Sequence, residues 1–186
     1  MSFAIHAVRA LKTAWQVICL DKQGLNGFEQ DREAFWTSFK AFFLVAPIYL
    51  YSSVMGARLS SPPVDEPSLS GSFALLALLW VMWPWLMVSL SHMLGAQQNY
   101  VRYIIAYNWT SVFIVAAIVP VLLLRQMGIA GPGLAALLSL GVIGWSLFMR
   151  WFVARYALDV KAPVAVALVA GDLALSIAGS FLIQDQ

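Results

Sequence analysis

Five times along this chain an apolar stretch runs for about 20 residues, the length a helix needs to cross a hydrocarbon core of roughly 30 Å. The stretches are Trp36 to Met55, Phe73 to Met93, Tyr103 to Leu124, Gly133 to Trp151 and Ala162 to Ile183. Inside that core no water is available to backbone amides and carbonyls, so stretches of this length must satisfy them internally as helices. Of 186 residues, 61% are hydrophobic and 11% charged, against roughly 25% charged in a soluble domain. The fold class is therefore read as all-α, a polytopic membrane helix bundle with five transmembrane helices. Residues 36–183 form the transmembrane domain, and residues 1–35 form a cytoplasmic, interfacial segment ahead of it.

That first segment has its own periodicity. Ser2, His6, Arg9, Thr13 and Gln16 recur at spacings of three and four, opposite Phe3, Ala7, Leu11, Trp15 and Ile18. The pattern predicts an amphipathic helix lying on the bilayer surface, with Arg9 and Lys12 as anchors toward anionic headgroups. Arg9 and Lys12 also interrupt the apolar run that a cleavable signal peptide needs, so the N terminus is read as mature. Gly24 and Gly27 break this helix, and Asn26 followed by Glu29 offers a cap-like restart.

An odd number of spans places the two termini on opposite sides. Arg9, Lys12, Lys22, Arg32, Lys40, Arg102, Arg150, Arg155 and Lys161 fall on one side, and only Arg58 and Arg125 on the other. The positive-inside rule then puts the N terminus in the cytoplasm and the C terminus outside, the inner membrane being the location in a bacterium. The connection between the second and third spans, "SHMLGAQQNYVRYIIAYNW", becomes a cytoplasmic turn. Gly95 ends a helix there, Arg102 reaches lipid phosphate, and Tyr100, Tyr103 and Tyr107 form an aromatic belt.

Several function classes have no support in the residues. The net charge of +2 and dispersed basic residues exclude a nucleic-acid surface. A single cysteine, Cys19, rules out an intrachain disulfide and a thiolate metal cluster. His6 and His92 lack the carboxylate or thiolate company of a metal site, and neither a nucleophile elbow, a zinc-protease pair nor a phosphate loop occurs. No catalytic residue, metal or cofactor is assigned, and the chain is read as a non-enzyme.

Within the spans, Pro84 beside Trp80, Trp83 and Trp85 predicts a kink filled by aromatic rings, with similar breaks at Pro47 and Pro120. Gly141 and Gly144, Ala167 with Gly171, and Ala170, Ala174 and Ala178 present small residues at helix–helix spacing. Asp172 is the sole acid deep in a span, about 15 Å from Ala162 at 1.5 Å per residue. With every Lys and Arg assigned to loops or span ends, desolvation should favour its neutral form. Ser176 and Ser180 share its face, and Asn108, Thr110 or Ser111 are the expected partners across the bundle.

The segment "LSHMLGAQQNYVRYIIAYNW", followed by "WSLFMRWFVARYALDVKAPVAVALV", resembles the Yip1-domain family of five-span membrane proteins. Leu94, Gly95 and Tyr100 match its Gly-containing connection, Tyr107 and Trp109 the segment after it, and Trp145 and Leu147 the span before the last loop. The resemblance covers about residues 89–169 and implies a five-helix bundle with a cytoplasmic N terminus. Eukaryotic members are associated with trafficking membranes and prenylated Rab GTPases through a long N-terminal region, which residues 1–35 do not match.

The functional expectation is a membrane protein that organises or modulates a bilayer or a membrane complex, the bilayer being one partner and another membrane protein or a second copy the other. The competing expectation is a small transporter or channel using Asp172. Water separates them, because a transport path needs polar groups converging on a hydrated cavity.

Overall fold

The computed structural model describes residues 3–60, 62 and 64–184; Ser2, placed above on the polar stripe, lies outside them. The regular elements are helical: α1 Phe3–Ile18, α2 Arg32–Ser38, α3 Phe42–Leu59, α4 Leu69–Met93, α5 Tyr100–Ala116, α6 Val119–Gln126, α7 Pro132–Ala157 and α8 Ala162–Gln184, with short 3-10 turns between some of them. Five helical stretches are long and apolar enough to cross a membrane: Arg32–Leu59, Leu69–Met93, Gln97–Gln126, Pro132–Ala157 and Ala162–Phe181. All five predicted spans are present, most of them longer than hydropathy marks, because helical hydrogen bonding continues until a residue stops it.

The stops are identifiable. Gly95 adopts φ +66, and the Ala96 amide returns to the Ser91 carbonyl at 2.8 Å, a left-handed C-cap of the kind glycine favours. Pro120 sits in the first turn of α6 and separates it from α5. Pro47 and Pro84, by contrast, lie inside continuous helices, which transmembrane helices tolerate. The N-cap of α2 is Asp31, whose carboxylate accepts from the Ala34 amide at 2.7 Å, rather than Asn26. Asn26 belongs to a 3-10 turn that Asp21 caps.

α5 is the central helix. It packs against α1, α2, α3, α4 and α7, while α3, α4, α8, α7 and α6 touch in succession around it. Its side chains Tyr103 to Ala106 and Asn108 to Ser111 are all buried, which explains an apolar pattern with no clean stripe. α1 lies along α5 with Ala7, Thr13, Ala14 and Val17 buried and the Trp15 and Phe113 rings 5.4 Å apart. The helix is therefore rotated from the predicted arrangement: Thr13 of the polar stripe faces the core, and Trp15 of the apolar stripe stays 55% exposed.

On α8 the inward face carries Ala165, Leu168, Asp172 and Gly179, whereas Ala170, Ala174 and Ala178 are exposed. Gly141 and Gly144 also face open space, with no atom within 4 Å of where an added methyl carbon would stand. The close approach is made at Gly179, where a Cβ would meet Leu75 Cδ1 at 2.8 Å. Of the small residues named from spacing, Gly171 faces the Trp83 ring, 3.9 Å from where its Cβ would stand, while Ala170, Ala174 and Ala178 lie on the outer face of the chain.

Candidate functional site: an ion pair inside the bundle

Four helices bring polar side chains to one level. α8 contributes Asp172, α7 Arg150, α5 Tyr103 and Tyr107, and α4 Trp83. At 1.5 Å per residue, Arg150 is about 10 Å inside the end of α7 and Asp172 about 15 Å inside the start of α8. Because α7 and α8 are joined by a short turn at Leu158–Lys161, the two side chains meet between adjacent, antiparallel helices.

Arg150 Nη1 lies 3.1 Å from Asp172 Oδ2, and the Tyr107 hydroxyl donates to Asp172 Oδ1 at 3.0 Å. The guanidinium carbon also stands 4.6 Å from the centre of the Tyr107 ring, within the range of a cation–π contact. Nη1 has no aligned hydrogen-bond acceptor, so its attraction to Oδ2 is ionic rather than directional. Trp83 extends the cluster: its indole N–H donates to the Tyr103 hydroxyl at 2.9 Å, and the Tyr103 and Tyr107 rings are 5.8 Å apart. Gly171 leaves room for the Trp83 ring, 3.9 Å from where a Cβ would stand.

The expectation that Asp172 has no cation nearby is overturned by Arg150. Hydropathy ends the fourth span at Trp151 and so counts Arg150, one residue inside that end, with the cytoplasmic loop, but α7 continues to Ala157 and leaves Arg150 well inside the helix. A charge removed from water is tolerated when paired. The signal was available: an unmatched acid on α8 calls for a cation, and Arg150 precedes it by one helical hairpin.

The other proposed partners are occupied elsewhere. Ser176 Oγ donates to the Asp172 backbone carbonyl at 3.0 Å, not to the carboxylate. Asn108 Nδ2 donates to Ser38 Oγ at 3.0 Å and joins α5 to α2. Thr110 and Ser111 return their hydroxyls to the carbonyls of Ala106 and Tyr107 at 2.7 Å, the local bonding that Ser and Thr adopt in helices.

The anchor residues divide. Arg102 caps α7: Nε donates to the Ala157 carbonyl at 2.8 Å and Nη2 to Asn99 Oδ1 at 3.2 Å. Asn99 in turn donates to the Leu158 carbonyl at 2.9 Å, so the Gly95 connection is stitched to the α7–α8 turn. Tyr100, half-buried, donates to the Pro84 carbonyl at 3.0 Å, whereas Tyr103 is buried and does not belong to a surface belt. Helix ends leave four carbonyls unsatisfied, and Arg102 meets that need at the end of α7. Arg9 is exposed and paired to Glu29 at 2.6 Å, and Lys12 is exposed.

His6 approaches Glu29 at 3.7 Å, while His92 is exposed at the end of α4. Among the described residues no group of three His, Cys, Asp or Glu is placed to hold a metal ion. The chain matches no protein family model, no curated protein and no solved structure. The Yip1-domain resemblance therefore rests on the motifs around Gly95 and Trp145 alone.

Proposed function

We propose that the chain is a non-enzymatic integral membrane protein that organises or modulates a bilayer or a membrane complex, with its N terminus cytoplasmic and its C terminus outside, in the inner membrane of a bacterium. The observation that carries this reading is that both carboxylate oxygens of Asp172 are engaged within the bundle, by Tyr107 and Arg150. A carboxylate held from two sides acts as a clamp between α5, α7 and α8, whereas a transport group must exchange its partners as water or substrate passes. Arg9, Lys12, Trp15, Trp36 and Phe43 are exposed near the α1–α2 region, a mixture of cations and large apolar groups suited to a bilayer surface.

The test uses the full chain in liposomes containing phosphatidylglycerol. Its single cysteine, Cys19, is exposed directly after α1 and can carry a polarity-sensitive dye. Arg9→Glu with Lys12→Glu should shift that dye toward an aqueous spectrum while wild type reports an apolar one. An imposed pH gradient should decay no faster than in empty liposomes. Proton flux that Asp172→Asn abolishes without unfolding would replace this reading with the transporter.

A further inference from the structure

At the end of the bundle away from the Gly95 connection, α3, α6 and α7 diverge around a cavity of about 330 Å³, within the size range of small-molecule sites. Ser52 and Gly56 of α3, Leu122 and Arg125 of α6, and Ala136 and Ser139 of α7 are among its lining residues. Arg125 is the one charged lining residue, and no carboxylate faces it. Among the described residues its side chain forms no ion pair or hydrogen bond. Apart from Arg32, which stands on an open surface, the other arginines are engaged: Arg9 and Arg58 pair with glutamates, Arg150 and Arg155 with aspartates, and Arg102 with carbonyls.

Two further features point to an anion. Ser52 Oγ is buried with no hydrogen-bond partner, although buried hydroxyls are ordinarily paired. The first turn of α7 lines the same cavity through Pro132, Ala135 and Ala136, and its N-cap, Gly131, supplies no side-chain acceptor. That helix start contributes the positive end of its dipole but no lining donor, since Pro132 has no N–H and the Ala135 amide donates to the Gly131 carbonyl at 2.9 Å. The remaining walls, including Ile118, Val121 and Leu122, are aliphatic.

We propose that this cavity binds the phosphate group of an anionic amphiphile, a phospholipid headgroup, with Arg125 as counter-charge and the aliphatic walls against the glycerol and upper acyl chain. A planar guanidinium matches phosphate oxygens two at a time. The aliphatic lining favours a lipid over a free phosphate ester, which would leave those walls exposed to water.

The experiment is a titration of the full chain in mild detergent, followed by native mass spectrometry. Phosphatidylglycerol is compared with phosphatidylcholine, whose own cation opposes Arg125, and glycerol 3-phosphate serves as the soluble arm. Wild type should retain one phosphatidylglycerol in preference to phosphatidylcholine by about tenfold, a typical effect of one charge-assisted contact. Arg125→Gln should abolish the preference, and Arg125→Lys should keep part of it, which separates loss of charge from loss of fold. Gly56→Leu projects into the cavity, since no atom lies within 4 Å of its Cβ position, and should also abolish retention with Arg125 intact. Glycerol 3-phosphate displacing the lipid in an Arg125-dependent way would assign the phosphate site to a soluble ester, and no displacement assigns it to lipid. Equal retention of the two lipids by wild type, or indifference to both Arg125→Gln and Gly56→Leu, would overturn the proposal.

Discussion

Arg150 and Asp172 face each other at 3.1 Å across the α7–α8 interface, and removing either partner strands the other charge. Breaking a buried pair costs roughly 3–5 kcal/mol, while replacing both ends by apolar groups of similar size is often neutral. Arg150→Met and Asp172→Leu should each lower the melting temperature in detergent, toward the small end of that range because Arg150 keeps 23% of its side chain exposed. The double variant should recover most of the loss. Additive losses would mean that the two side chains act independently.

Arg102 tests whether the Gly95 connection is fastened by protein or by lipid. Arg102→Ala removes charge-assisted bonds to the α7 terminus, worth about 1.5–3 kcal/mol for a hydrogen bond to a charged group. Hydrogen exchange should speed up around residues 154–160 in detergent, with no anionic lipid present. A lipid anchor would leave that exchange unchanged and lower only vesicle binding.

The glycines of α7 and α8 should behave oppositely. Gly179→Leu forces side-chain volume against Leu75 and Leu79, and overpacking of that kind costs about 1–3 kcal/mol. Gly141→Ala and Gly144→Ala meet nothing and should hold or raise stability by up to about 1 kcal/mol through helix propensity. Thermal melts of the three variants decide this directly.

Outside the spans, Glu66 receives Arg58 Nε at 2.7 Å, and that hydrogen bond holds its carboxyl below the ordinary value of 4.5. A depressed carboxyl stabilises the folded arrangement above its unfolded pKa, and the contribution disappears as pH falls through the lower folded value. Both side chains are exposed, so salt should weaken the effect. Amide protection at residues 64–68, taken relative to the intrinsic exchange rate at each pH, should fall on acidification in wild type and be low already at neutral pH in Glu66→Gln. A pH response that survives Glu66→Gln would assign it to another group.

Much of this architecture was legible from local chemistry. Gly95 and Pro120 act within one or two residues of themselves, so their consequences can be read without knowing the neighbours. Asp172 was also legible as an exception, because one acid in an apolar run is conspicuous wherever the helix goes. Arg150, Tyr107 and Trp83 were harder. Arg150 lies at the edge of an apolar run, Tyr107 resembles an interfacial ring, and Trp83 is one of three tryptophans around Pro84.

Hydropathy by itself determined that five helices are long enough to span a bilayer, because transfer of a helix into hydrocarbon depends on the sum of its own side chains. It also marked Asp172 as a lone acid deep in a span, expected to be neutral for want of a cation. That Arg150 compensates it was decided by tertiary structure alone. The rotation of α8 that turns Asp172 inward and Ala170, Ala174 and Ala178 outward comes from packing against α4 and α7. The antiparallel packing of α7 on α8 sets Arg150 at the same level as Asp172, and the burial of α5 on all sides draws Tyr107 to the carboxylate and Arg102 to the end of α7. A single helix has no preferred azimuth until its neighbours supply one, so the partners of its polar groups are a property of the assembled bundle.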